Sequence, residues 1–151
     1  DALFEGKITS HLLVYTDDST GTEIGTVTLF LAPPKVAYYY YAFYDLNYYS
    51  RNLGMYMMTS SVGWFARENY EHLYLGSCYL RNALYKIQFR GAEFFNGFRW
   101  SSNLDELKFM IRRGKKELRQ HLLESEEFRE TFYKGDLSGI AAESPFRVRL
   151  S

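Results

Sequence analysis

The 151-residue sequence predicts a mixed α/β fold, an α+β arrangement in which an antiparallel meander of strands is followed by a βαβ unit. Three observations carry this. The first third of the chain holds three short apolar runs separated by turn formers, the pattern of consecutive antiparallel strands. The apolar period then lengthens to that of a helix over residues 51–68. A short apolar run at 72–75 closes a strand, helix, strand sequence, which predicts that the strand before the helix and the strand after it are parallel neighbours.

Residues 11–15 (His-Leu-Leu-Val-Tyr) form the first run, ended by Asp17-Asp18-Ser19-Thr20-Gly21. Residues 24–31 form the second, rich in β-branched Ile24, Thr26, Val27 and Thr28, and Pro33-Pro34 ends it because proline supplies no ladder donor. Residues 36–44 are apolar and aromatic almost without a break, which suits a strand covered on both faces. Ser50 is a candidate N-cap for the helix over 51–68, where Leu53, Met57, Ser61, Trp64 and Phe65 recur at helical spacing. Ser60, Ser61 and Gly63 are small enough to let that helix lie close to a sheet. Gly76 stops the strand at 72–75.

Beyond Gly76, residues 79–85 read as a short helix and 86–90 as a further strand. Asn103-Leu104-Asp105-Glu106 resembles a capping box. Leu104, Leu107, Ile111, Leu118 and Leu122 continue from it as a helical stripe, with acids first and Arg112, Arg113, Lys115 and Lys116 later, the order a helix dipole favours. A last helix runs over 125–134 and closes at Gly135. No repeat or linker divides the chain, so one domain over 1–151 is expected.

Composition bounds the function. With 46% apolar and 24% charged residues the chain is globular, and no run approaches the ~20 apolar residues of a membrane span, so no membrane partner is expected. The one cysteine, Cys78, excludes an internal disulfide and points to a reducing, cytoplasmic setting. Asp1 has no signal-like segment behind it, and the expectation is a processed chain or a piece of a longer one. Net charge is zero, against a generic polyanion binder, yet residues 51–119 carry 12 Lys/Arg and 6 Asp/Glu, a balance of +6. That basic middle can attract phosphates, or it is scattered solvated charge. His11, His72 and His121 are too dispersed for a metal site, and there is no Gly-x-Ser-x-Gly nucleophile signature.

The most informative stretch is 44–56, where strand turns into helix: Tyr-Asp-Leu-Asn-Tyr-Tyr-Ser-Arg-Asn-Leu-Gly-Met-Tyr. A helix beginning at the carboxyl end of a strand offers unpaired N–H groups and the positive end of its dipole, and Gly54 would let a phosphate come close. The competing reading is a packing glycine and a surface arginine. Asp45, one residue past the strand, is placed to cap the turn. The run Tyr38-Tyr39-Tyr40-Tyr41 alternates faces in a strand, so two rings look one way and two the other. One pair can pack under the helices while the other lines a groove, and plain core packing is the competing and stronger reading. Rings in such a groove can meet a substrate or stack on a base.

These pieces come in a recognisable order: residues 24–34 (Ile-Gly-Thr-Val-Thr-Leu-Phe-Leu-Ala-Pro-Pro), Ala42-Phe-Tyr-Asp45, Arg51-Asn-Leu-Gly54, Tyr74-Leu-Gly76, Tyr85-Lys86 and Gly97-Phe-Arg-Trp100. Over about residues 24–100 the chain resembles the carboxy-terminal domain of the aminoacyl-tRNA–protein transferases, the arginyl- and leucyltransferases. It departs from that pattern at Leu46, where proline is usual, and at Asn52, where serine is usual. The resemblance implies an acetyltransferase-like (GNAT) fold and transfer of an amino acid from aminoacyl-tRNA to a protein or peptide N-terminus, with no further cofactor. It implies a donor phosphate grip at Arg51, Asn52, Leu53, Gly54 and Met55. Asp45 and Tyr85 become the catalytic candidates, with Asp45 at the mouth of the cleft to hold the acceptor amine and help remove its proton, or else only a cap. Lys86 becomes a further donor ligand, and Tyr39, Tyr41, Tyr44 and Tyr74 the substrate groove. Two alternatives stay open: an acetyl-CoA-dependent N-acetyltransferase on the same fold, and a non-catalytic GNAT-like binding module. Bulky Tyr56, two positions after Gly54, stands where an acetyl-CoA loop prefers a small residue.

Overall fold

A computed structural model describes residues 9–113 and 119–139. The chain groups into two compact units, one ending at Ser77 and the other beginning at Cys78.

In the first unit, strands β1 (His11–Asp17), β2 (Thr22–Ala32) and β3 (Val36–Tyr44) form the antiparallel meander, and β4 (His72–Tyr74) adds to β3 in parallel, giving the order β1-β2-β3-β4. Helix α1 (Leu53–Arg67) supplies the crossover. The expected meander and parallel pair are therefore present in a mixed α/β unit. Helix α1 forms because Leu53, Met57, Ser61 and Phe65 recur every fourth residue and all are buried. They pack on Val27, Leu29, Ala37 and Tyr39 of the sheet, which are buried too. Each full burial of such an apolar side chain contributes about 1.5–3 kcal/mol, far more than helix propensity does.

The close approach of α1 to the sheet depends on a glycine in the strand. A Cβ on Gly25 would lie 2.7 Å from the Met57 sulfur and 3.3 Å from the Phe43 carbonyl oxygen. Ser61 is buried on the same contact, whereas Gly63 would meet only the Arg67 side chain at 3.7 Å and is not required there. The Tyr15 hydroxyl from β1 fastens the helix by donating to the Met57 carbonyl at 3.0 Å, beside the Ser60 and Ser61 hydroxyls.

The tyrosine run does not divide two and two. Pairing slips between Thr28 and Leu29, so Tyr41 faces Thr28 and Tyr39 faces Leu29, and Tyr40 is the extra residue of a bulge. Tyr39 is buried on the α1 side, while Tyr38, Tyr40, Tyr41 and Phe43 make successive ring contacts on the other face, joined by Tyr74 against Tyr38. The Thr28 hydroxyl accepts from the Tyr41 N–H at 3.0 Å and so satisfies the bulged backbone.

In the second unit a 3-10 helix (Arg81–Ile87) replaces both the short helix and the strand expected over 79–90; the Gly91 turn and Gln88 in helical backbone leave no extended run there. A hairpin follows, β5 (Phe94–Phe95) with β6 (Trp100–Ser101). Helix α2 (Leu104–Arg112) starts as expected, with the Asn103 side chain accepting from the Asp105 and Glu106 N–H groups. It ends at Arg112 rather than reaching Leu122, because Arg113 is already extended; Lys115, Lys116 and Leu118 lie outside the described residues. Leu122 belongs to a separate 3-10 turn (Leu122–Glu124). Helix α3 (Glu126–Tyr133) is capped by Ser125 and closed by Lys134 and Gly135 in left-handed conformation. Phe109, Leu122 and Phe128 make the core, with Phe98, Phe132 and Tyr133 packed around them.

Glu106 is wholly buried in this unit. Its carboxylate accepts from the Asn96 amide, from the Ser101 hydroxyl at 2.6 Å and from the Tyr133 hydroxyl at 3.3 Å. It therefore joins hairpin, α2 and α3, and does not reach back to the Asn103 N–H as a full capping box would; that group donates to Ser101 instead.

Candidate functional site

The site expected from the sequence is the connection from β3 to α1. β3 delivers Asp45 past its last residue, with the Asp45 N–H donating to the Ile24 carbonyl at 2.9 Å. A 3-10 helix (Leu46–Arg51) follows, and none of its residues is buried. Polar contacts hold it instead. Asp45 Oδ1 accepts from the Asn47 N–H at 2.9 Å, so Asp45 does cap this turn. Among the described residues, no hydrogen bond engages its Oδ2 oxygen.

Helix α1 is not capped by Ser50. Its N-cap is Asn52, which sits in left-handed backbone (φ 55°, ψ 36°) and makes no side-chain cap bond. Asparagine tolerates that conformation better than most residues, which is why the chain can turn there. The Met55 and Tyr56 N–H groups both donate to the Asn52 carbonyl. Leu53 and Gly54 head the first turn, where N–H groups have no acceptor within the helix. Leu53 is buried and anchors the turn, so it contributes backbone only. Gly54 has a packing role: a Cβ there would lie 2.9 Å from the Tyr44 ring. The glycine thus lets the last ring of β3 lie against the helix start.

Arg51, 70% exposed, stands one residue before that start. Its guanidinium lies over the Tyr48 ring, 5.3 Å from the centroid, and 3.6 Å from the carboxylate of Asp17. Asp17, at the end of β1, accepts from the Ser19 N–H at 2.9 Å, the Ser19 hydroxyl at 2.5 Å and the Tyr48 hydroxyl at 2.8 Å. Those bonds, the Ser19 hydroxyl first and Tyr48 next, hold its carboxyl down to about 2, with Arg51 adding a smaller pull. The same bond from Tyr48 to Asp17 raises the Tyr48 hydroxyl. The sequence reading missed both residues of this pair. The Asp-Asp-Ser-Thr-Gly run signalled a turn, but nothing in it pointed to a partner 31 residues away.

β3 and β4 pair through three residues only: Val36 with His72, Ala37 with Leu73 and Tyr38 with Tyr74. Residues 39–44 of β3 run on past the end of β4, which stops before Gly76 in left-handed backbone (φ 80°). The four groove tyrosines do not share a face. Tyr39 and Tyr44 are on the α1 side, and Tyr41 and Tyr74, both more than a third exposed, belong to the opposite aromatic row.

Tyr85 and Lys86 are in the second unit, on the 3-10 helix from Arg81 to Ile87, and Tyr85 is exposed. Burial pushes the Cys78 thiol up, and the charge of Lys86 partly offsets this. Cys78 is therefore a thiol, not a nucleophilic thiolate, at neutral pH. Among the described residues no three His, Cys, Asp or Glu side chains gather as a metal site, and no helix is long and apolar enough to cross a membrane. No family model, curated protein or solved structure matches the chain.

Proposed function

We propose that this chain is a GNAT-like transferase domain of the cytoplasm that moves an amino acid from aminoacyl-tRNA to the amino group of a protein or peptide. The observation that carries the reading is the β3-to-α1 connection: a side-chain-uncapped helix start preceded by Arg51, at the end of a strand whose parallel pairing with β4 covers only Val36–Tyr38. Arg51 and the first-turn N–H groups of Leu53 and Gly54 would receive a donor phosphate, since unpaired N–H groups and the helix dipole favour an anion there. The Asn52 and Met55 N–H groups already donate to the Tyr49 and Asn52 carbonyls. Asp45 uses one oxygen as a cap and keeps the other for the acceptor ammonium.

The chemistry asks little of the protein. The neutral amine attacks the ester carbonyl carbon, its proton passes to Asp45, and the ribose hydroxyl of the tRNA leaves with a proton. Alignment of the two reactants supplies much of the rate. In this reading no additional cofactor takes part.

The acetyl-CoA alternative would use the same helix start for pyrophosphate. Against it stands Tyr56, whose 62% exposed ring occupies the position where such a loop needs a small residue. A thermal-shift titration of the intact chain tests the choice. A higher melting temperature with aminoacyl-tRNA and none with acetyl-CoA is expected. The reverse ranking overturns the donor assignment, and tight binding of either without transfer makes the domain a binding module.

A further inference from the structure

The contacts of Arg51 are unequal in a way that bears on ligand binding. Its single approach to Asp17, at 3.6 Å, is longer than a direct N–H···O hydrogen bond, and the side chain is mostly in water. Asp17 does not depend on it: two bonds from Ser19 and one from Tyr48 keep that carboxylate fixed and satisfied. Tyr48 serves both partners, because its hydroxyl holds Asp17 while its ring face supports the guanidinium. Arg51 can therefore leave Asp17 without stranding a charge, and Asp17 stays where it is when Arg51 leaves. A fixed carboxylate this close also repels any anion that Arg51 receives.

We propose that Asp17 competes with the ligand's phosphate for the Arg51 guanidinium, and thereby sets how much negative charge a ligand must carry to be held at the start of α1. This rests on the phosphate-gripping reading of Arg51. A monoanion offers the guanidinium no more charge than Asp17 already does. A pyrophosphate or a run of nucleotide phosphates offers more and wins the exchange. Asp17 is thus a specificity-determining residue that touches no reacting atom. Tyr48 moderates it: the O–H bond draws on the Asp17 oxygen that faces Arg51, and so loosens the ion pair.

Inorganic pyrophosphate is the probe, titrated into the intact chain while the Arg51 side-chain N–H and the Gly54 amide are followed by NMR. Asp17→Asn is expected to tighten binding about 1.4- to five-fold at low salt, the range an exposed ion pair allows. At about 1 M salt, where screening acts within about 3 Å, the gain should shrink. It should vanish in an Arg51→Ala background. Tyr48→Phe, which keeps the ring and removes the donor, should weaken binding. Unchanged or weaker binding by Asp17→Asn overturns the competitor role, as does an equal gain in the Arg51→Ala background, which marks a general charge effect. Pyrophosphate that binds Arg51→Ala as well as wild type, or binds no variant, overturns the phosphate reading of Arg51 itself.

Discussion

Replacing Glu106 with alanine takes from two buried donors, the Asn96 amide (2% exposed) and the Ser101 hydroxyl (6% exposed), the only acceptor they have among the described residues. Each orphaned buried group costs about 1–3 kcal/mol, and the lost side chain adds a cavity. The Tyr133 hydroxyl is only part-buried and can turn to water, so it adds little. The total expected is about 3–5 kcal/mol, in the range reserved for broken buried networks. Glu106→Gln keeps one acceptor oxygen but points an amide N–H₂ at a group that now donates. Ser101 can reverse its hydroxyl, since its proton is free to rotate, so glutamine should cost only about 1–2 kcal/mol. Urea unfolding followed by the fluorescence of Trp100, in a Trp64→Phe background so that only the second unit reports, measures both. An alanine variant that loses less than about 1 kcal/mol refutes the idea that this carboxylate ties hairpin, α2 and α3 together.

Three further outcomes are expected. Asp45→Asn should leave the melting temperature nearly unchanged, because asparagine caps as well as aspartate, while single-turnover transfer falls about 10²–10⁴-fold; transfer at the wild-type rate leaves Asp45 a cap and nothing more. Gly25→Ala should cost about 1–3 kcal/mol in a urea melt, since its Cβ meets a wholly buried Met57, and less than the sum when combined with Met57→Ala. The Asp17 carboxyl is lowered from 3.8 to about 2, so the stability it contributes is complete above about pH 4 and is lost as pH falls toward 2. Asp17→Asn should flatten that limb of the pH–stability curve, and a curve of unchanged shape contradicts the bonds from Ser19 and Tyr48.

What was legible in the sequence follows from period and composition. The third strand was read over 36–44 and is there, because nine β-forming residues between a double proline and an aspartate leave few alternatives. The parallel pairing with 72–74 followed from a helix of crossover length lying between. What failed depends on contacts that neighbouring residues do not announce. Ser50 looked like the better cap, but the chain spends 46–51 in a 3-10 turn and Asn52 takes the left-handed step. Alternation misread the tyrosine run because one bulge at Tyr40 changes which way the next ring points. The stripe from Leu104 to Leu122 followed leucines across a helix end at Arg112. At the candidate site, the strand-to-helix turn and its Arg51 were visible in sequence. Asp17 was not, since its tie to Tyr48 is a long-range contact, and the tight fit of Gly54 on Tyr44 became distinguishable from a phosphate approach only in three dimensions.

The proposed activity is tested most directly by single-turnover transfer. The intact chain is mixed with tRNA charged with a labelled amino acid and a peptide bearing a free N-terminus, beside the Arg51→Ala variant. Label on the peptide amine is expected with the wild-type chain. With Arg51→Ala, transfer should recover as donor concentration rises, because the grip acts on binding more than on chemistry. No label with wild type at saturating donor, or label at an equal rate and equal donor dependence with Arg51→Ala, contradicts the proposed transfer and its donor grip.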